Sequence, residues 1–331
     1  MIELPEACAD ETSLSPLEFY NTFTCGHFDF VTLDIRAKED FVASHVLRSL
    51  SFSIDAADVE KSARDAAVVQ DYVARLRKTL QEVFWMCRLA VVNEDGTWGP
   101  KERFLKQLLV AAGKSSSLVY CSTIIGGIEA LKRSFPFIVT SPKPIPKEKA
   151  KEKEEQSKDG EEAQEDDDDD DEDDDECLIT GFPSVILDDF LYLGDWQAAN
   201  NKEVLEKLGI GRIVNCTPHE NAFKEDDAFR YYQIAIQDSY TQTISDHFEA
   251  ASSFIEQAEK ESQKVLIHCE AGVSRSCTIT LAYLMRCKGW PLHVAFTHVK
   301  SRRSIVSPNH GFVDQLESYE RQLFSPSSHD S

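Results

Sequence analysis

The chain has 331 residues, 42% of them hydrophobic and 28% charged, with a formal net charge of −23. That length accommodates two domains, each with its own core, and the acidity excludes the basic stripe that neutralises nucleic-acid phosphates. Nine cysteines without paired spacing or a metal-ligand pattern indicate free thiols in a reducing compartment. No stretch reads as a signal peptide or a membrane span, so a soluble intracellular protein, cytoplasmic or nuclear and without a membrane partner, is expected.

Residues 13–140 alternate strand and helix signals. Phe28 to Ile35, Leu50 to Ile54, Leu89 to Val92 and Ser117 to Cys121 read as strands. Ala66 to Phe84 and Lys101 to Ala112 read as helices between them, the signature of an α/β domain with a mainly parallel sheet. In the first helix Tyr72, Val73, Leu76, Leu80 and Val83 form an apolar stripe, with Arg75 and Lys78 facing away. Leu33-Asp34-Ile35-Arg36, followed by Glu39, Phe41 and Ser44-His45-Val46, resembles a rhodanese-like domain, as does Val119-Tyr120 leading to Gly126-Gly127. A working rhodanese carries its sulfur on a Cys after the fourth strand. Here that strand leads into Asn93-Glu94-Asp95-Gly96, and Cys121 lies on the next strand, so sulfur transfer is not expected.

Residues 141–178 break the pattern. Between Ser141 and Glu176 stand 6 lysines and 19 acids, which hold −13 of the total charge. Such a segment cannot bury apolar area, and an acidic disordered linker is expected, either a solvated spacer or a dock for a basic partner surface.

Residues 181–325 read as a second α/β domain. Val185 to Leu187, Leu191 to Gly194, Ile213 to Cys216 and Tyr231 to Ile236 are strand candidates. Helices are expected over Asn201 to Leu208, Asp246 to Glu261, Ser276 to Cys287, Leu292 to Arg302 and Gly311 to Leu323.

Between the second and third of these helices lies the most informative stretch, His268-Cys269-Glu270-Ala271-Gly272-Val273-Ser274-Arg275-Ser276. The apolar run Val265 to Ile267 reads as a buried strand, Gly272 sits in a short loop, and Arg275 opens an apolar helix. Strand, tight loop and helix N-terminus together aim several backbone N–H groups at one anion. A Cys at the lip of that loop is a nucleophile whose thiolate the loop stabilises, and an Arg six residues later can clamp two phosphate oxygens. These are the parts that phosphoryl transfer to sulfur requires. No metal or other cofactor is needed, because Arg275 and the loop amides take the charge a metal would otherwise take.

This stretch resembles the signature of dual-specificity protein phosphatases. A rhodanese-like domain lacking its Cys and placed before such a catalytic domain resembles the MAP-kinase phosphatases. It also resembles the serine/threonine/tyrosine-interacting-like protein, whose phosphatase site has lost the Cys. The resemblance implies a phosphorylated protein as substrate, a MAP kinase being the partner that docks on the N-terminal domain. The nearest candidate for the family's basic docking cluster is Arg75-Leu76-Arg77-Lys78. The domain's length is that of the minimal phosphatase fold, whose shallow cleft admits phosphoserine and phosphothreonine besides phosphotyrosine.

The resemblance also distributes roles. Asp238, after the strand Tyr231 to Ile236 and 31 residues before Cys269, lies where the family places its leaving-group acid. Its alternatives are a turn-capping role, or displacement by Asp246, which itself reads as an N-cap. His268 orients the loop through hydrogen bonds and helps depress the pKa of Cys269 rather than acting as a base, Ser276 donates to the Cys269 sulfur, and Asn309 braces the loop or is a plain turn residue. Glu270 makes phosphoinositides poor substrates, since relatives acting on them carry a basic residue in the loop. Cys216 and Cys277 are candidate redox partners for Cys269. A second reading, a phosphoprotein-binding scaffold with little turnover, shares the fold but has no use for a leaving-group acid.

Overall fold

The computed structural model describes residues 12–25, 30–80, 87–112, 119–140 and 181–324. The expected acidic linker, Val83 of the apolar stripe and the proposed strand start at Ser117 lie outside the described residues. The chain forms two units. The first takes Met1–Pro16 and Phe28–Glu176, and the second takes Leu17–His27 and Cys177–Ser331.

In chain order β1 (Thr12–Leu14) of the first unit is followed by α1 (Pro16–Thr24), which from Leu17 on belongs to the second unit, and then by β2 (Phe30–Asp34), α2 (Lys38–Ala43), β3 (His45–Val46) and β4 (Leu50–Ser51) of the first. Then come α3 (Ala56–Ser62), α4 (Ala66–Thr79), β5 (Cys87–Val92), α5 (Pro100–Ala111), β6 (Val119–Ile124), α6 (Gly127–Ser134) and β7 (Val139–Thr140). The main sheet is parallel with strand order β1-β6-β5-β2-β4, and β3 pairs antiparallel with β7. Burial of Tyr72, Val73, Leu76 and Leu80 confirms the predicted stripe of α4, which meets Leu33, Leu89, Val91, Leu105 and Leu108 in one core. Each large apolar side chain so buried contributes roughly 1.5–3 kcal/mol. Asp34 and Arg36, both almost fully buried, form an ion pair at 2.7 Å, and Arg36 also donates to the Ser44 carbonyl. This fixes the turn after β2.

The second unit holds β8 (Ser184–Leu187), β9 (Leu191–Gly194), α7 (Trp196–Asn200), α8 (Lys202–Leu208), β10 (Ile210–Asn215) and β11 (Arg230–Gln233). It continues with α9 (Phe248–Lys260), β12 (Lys264–His268), α10 (Arg275–Lys288), α11 (Leu292–Arg302) and α12 (His310–Phe324). Its sheet runs β11-β10-β12-β9-β8, parallel except for the antiparallel edge strand β8. Central β12 reads Lys264-Val265-Leu266-Ile267-His268, with four of its five residues buried, as a strand covered on both faces requires. Helix α10 is buried from Arg275 to Met285. Its buried Thr278 and Thr280 hydroxyls donate to the Ser274 and Ser276 carbonyls one turn earlier.

Several expected elements shift by a few residues. Asp246 does not cap: a 3-10 turn over Ser245–His247 precedes α9, whose N-cap is His247 without a side-chain bond. The strand expected over Tyr231 to Ile236 ends at Gln233, after which Ile234 and Ile236 turn inward and carry the chain towards Asp238. Among the described residues no helix is long and apolar enough to cross a membrane.

Candidate active site

Strand β12 delivers Cys269 to the C-terminal edge of the sheet, and α10 begins six residues later. The loop between them is shaped by what holds its carbonyls. The Glu270 carbonyl accepts from the Trp196 N–H at 3.0 Å, and that of Val273 from the Ser307 N–H at 2.9 Å. Arg303 takes the Ala271 and Gly272 carbonyls at 3.4 and 2.9 Å, and the Ser274 carbonyl accepts from Thr278 inside α10. Five consecutive carbonyls are thus pulled to the outside of the loop. No peptide here is cis, and in a trans peptide the N–H points opposite to the carbonyl, so the N–H groups of residues 271 to 275 turn the other way, towards a common centre. Gly272 adopts φ +66, and a Cβ there would lie 2.6 Å from the Gly194 carbonyl oxygen. Only glycine fits.

The side chains converge on the same centre. Cys269 is 1% exposed, and the Ser276 hydroxyl donates to its sulfur at 3.1 Å. Arg275 is buried, with Nη1 tied to the Ile236 carbonyl at 3.1 Å. Its Nε is a buried donor without a hydrogen-bond partner among the described residues, a group whose burial is costly unless an acceptor such as a phosphate oxygen meets it. Asp238 lies at the mouth with Oδ2 3.9 Å from Arg275 Nε, and its Oδ1 accepts from Ser274 Oγ at 2.8 Å and from Asn309 Nδ2 at 2.7 Å. Asn309 is therefore more than a brace. Its Oδ1 accepts from the Phe312 N–H at the start of α12, its own N–H donates to Ser274 Oγ, and its amide holds the acid. The structure thus brings Cys269, Arg275, Ser276, Asp238 and Asn309 into one cluster.

His268 differs from expectation. Burial pushes its pKa down to about 4, the Arg275 charge adds to that, and the Cys269 backbone opposes it more weakly. The ring is neutral, and its Nδ1 is buried without a well-formed hydrogen bond among the described residues. It supplies no positive charge to the sulfur, and its ring packs 6.1 Å from the Trp196 ring, centroid to centroid. Glu270 also has a partner: its carboxylate lies 2.6 Å from His219 Nε2, away from the centre of the loop. Cys216 and Cys277 are both fully buried in the apolar core, and burial raises both thiols, the nearby Cys269 adding to the effect. Among the described residues no group of three or more His, Cys, Asp or Glu could hold a metal ion.

Sequence reasoning did not find Trp196, His219, Arg303 or Ser184. The first three reach the loop from distant parts of the chain, Ser184 reaches Arg303, and none carries a local motif.

Comparisons with known proteins show the family. A family model described as the dual specificity phosphatase catalytic domain matches residues 191–322. Dual specificity protein phosphatase 5 of Rattus norvegicus is 35% identical over 314 residues, covering 88% of this chain and 77% of the rat protein. Dual specificity protein phosphatase Mpk3 of Drosophila melanogaster is 46% identical over 142 residues, 43% of this chain and 34% of the fly protein. The solved structure of human DUSP28 is 30% identical, covering 43% of this chain and 94% of its own, at a TM-score of 0.41. An alignment at 35% identity that extends well beyond residues 191–322 reflects common descent rather than one shared loop, and the chain belongs to the dual specificity protein phosphatases.

Proposed function

We propose that this phosphatase hydrolyses phosphotyrosine and phosphoserine/phosphothreonine in proteins through a phosphocysteine at Cys269. The thiolate attacks phosphorus in line with the ester oxygen, while Arg275 and the loop N–H groups hold the three equatorial oxygens. Asp238, protonated in this step, gives its proton to the leaving side-chain oxygen as the P–O bond breaks. The carboxylate so formed then takes a proton from water, whose oxygen attacks phosphorus and expels the Cys269 sulfur. Ser276 assists by donating to the departing thiolate. The carrying observation is that Cys269, Arg275 and Asp238 surround one point, with Ser274 and Asn309 holding the acid there.

The first unit is read as a rhodanese-like domain without sulfur chemistry, used to dock the substrate, and a MAP kinase is the substrate class. This rests on the resemblance of the two-part arrangement to MAP-kinase phosphatases. Within Arg75-Leu76-Arg77-Lys78 the charges are unequally free. Arg75 stacks 4.7 Å over the Tyr72 ring and donates to the Ser53 carbonyl, while Arg77 donates to the Ala112 carbonyl.

Full-length Asp238→Ala protein tests the reading. Its turnover should fall about 100- to 1,000-fold on phosphopeptides and much less on an aryl phosphate with a good leaving group, and it should retain phosphoprotein substrates. Equal losses on both substrates would remove Asp238 as the acid. Recovery of proteins other than MAP kinases in the trap would redirect the substrate assignment.

A further inference from the structure

Arg303 is a buried cation behind the phosphate loop. It is 2% exposed at the C-terminal end of α11 and spends its donors in two directions. Nε and Nη2 hold the Gly272 and Ala271 carbonyls, and Nη1 donates to Ser184 Oγ at 3.2 Å. Among the described residues no carboxylate lies within ion-pair distance of it, so all three of its acceptors are neutral. The half-buried Asp195 carboxyl feels this charge only from beyond ion-pair range, so the guanidinium is incompletely compensated. The field reaches the anion that the loop takes.

Ser184 is itself held. It lies in edge strand β8, where unpaired backbone groups need a cover. Helix α1 supplies one, and three successive residues of the edge are held by it. Tyr20 Oη donates to the Pro183 carbonyl at 2.8 Å. Thr24 Oγ1 and Cys25 Sγ lie 3.3 and 3.8 Å from Ser184 Oγ. The Asn21 amide takes both backbone groups of Val185, accepting from its N–H at 2.8 Å and donating to its carbonyl at 3.0 Å, as a paired strand would. Phe19, Tyr20 and Asn21 are all buried. Burial raises the Tyr20 hydroxyl well above its ordinary pKa, which keeps it a donor.

We propose that Arg303 is a positioning residue for the phosphate loop and that helix α1 is the strut that holds it in register through Ser184. Residues 17–25 are on this reading part of the catalytic apparatus, although they precede the whole first sheet except β1. Arg303 keeps the Gly272 and Val273 N–H groups aimed at the anion by fixing the carbonyls on their far sides. Ser184 keeps the guanidinium from rotating away, and α1 keeps β8 from fraying. The inference rests on the phosphatase reading of the loop.

The test uses the full chain and two readouts: the Kd for inorganic phosphate by calorimetry, and kcat and KM on an aryl phosphate. Arg303→Met should weaken phosphate binding about tenfold or more and lower kcat/KM about 100-fold, and Arg303→Lys should recover part of both. The double variant Tyr20→Phe, Asn21→Ala should raise the phosphate Kd and KM together about three- to tenfold, with a smaller change in kcat. Ser184→Ala, which removes one hydroxyl, should show the same split and keeps the test decisive if the helix variant melts at the assay temperature. Adding Ser184→Ala to the helix variant should cost little more, since both act on one path. Phosphate Kd and KM within twofold of wild type in both the Ser184 and the helix variants would overturn the strut, and no recovery by Arg303→Lys would overturn the role of its charge. Should the wild type bind phosphate but turn nothing over, the phosphatase reading fails, while the Kd series still reports on the strut.

Discussion

Each unit has a loop that leaves the middle strand of a five-stranded sheet and runs into a helix: Asn93 to Gly99 after β5, and Cys269 to Ser274 after β12. The two loops spend opposite halves of their peptides. In the first, the N–H groups of Gly96, Thr97 and Gly99 donate to Asn93 Oδ1, Asp95 Oδ1 and Glu102 Oε2, oxygens from the loop and its own helix. In the second, the carbonyls are spent on groups outside the loop and the N–H groups turn inward. Strand–loop–helix topology therefore does not by itself make an anion site. The site exists only where the carbonyls have been given partners elsewhere. The first loop is also filled, with buried Asn93 donating to the Thr97 carbonyl and to Glu102 Oε1.

Breaking the contrast at its chemical centre should give the largest effect. Cys269→Ser should lose at least about 10,000-fold in turnover while the Tm stays within a few degrees, because the hydroxyl is a far weaker nucleophile and fills the same space. Residual phosphopeptide hydrolysis close to wild type would place the chemistry elsewhere.

A matched pair of glycines sharpens the comparison. Gly272 and Gly96 have φ +66 and +78, and a Cβ on each would collide with a carbonyl oxygen, at 2.6 Å from Gly194 and 1.9 Å from Ile124 respectively. Each Gly→Ala change should cost on the order of 1–3 kcal/mol locally. Gly272→Ala should destroy phosphate binding, whereas Gly96→Ala should lower the melting of the first unit and leave kcat on an aryl phosphate unchanged. Equal loss of kcat in the two variants would contradict the division of labour between the loops.

Asn309→Ala comes next. It removes a helix cap and one donor to the acid, so about 1 kcal/mol of stability and roughly tenfold in kcat on phosphopeptides should go together. Asn309→Asp would retain the cap and set a second carboxylate beside Asp238, raising the pH at which that acid is half protonated. A kcat–pH profile identical to wild type would show that Asn309 acts on α12 alone.

The last expected effect bears on stability rather than on turnover. His268 stays neutral in the folded chain down to about pH 4, whereas an unfolded histidine takes its proton near 6.5. The unfolded state therefore binds more protons between those values, and stability falls as pH drops from 6.5 to about 4, by about 3 kcal/mol, then levels off. His268→Asn should flatten that part of a urea-unfolding series against pH. An unchanged slope would mean that other groups carry the acid sensitivity.

How much of this was legible beforehand follows from the range of each interaction. Cys269, Arg275 and Ser276 are set by a nine-residue run whose spacing already fixes their geometry. Asp238 was legible through the resemblance, which places an acid after the strand that precedes it. The rival Asp246 does not cap as its position suggested, and among the described residues it makes no hydrogen bond or ion pair to the loop, whereas Asp238 does. The neutrality of His268 depends on burial, which no short window reveals. Arg303 and Ser184 stand 31 and 88 residues from the loop glycine they position, directly or through each other, and α1 is farther still. The stripe of α4 was readable from its period. The pairing of β1 with β6 was not, because a three-residue strand carries almost no periodic signal.

The second unit is assembled from two separate stretches of chain, with nearly all of the first unit threaded between them. A gene rearrangement that exchanged the N-terminal module at a single breakpoint in the acidic stretch would carry Tyr20 and Asn21 away with it. A replacement module would have to bring an equivalent of helix α1 with it for the second unit to keep its covered edge.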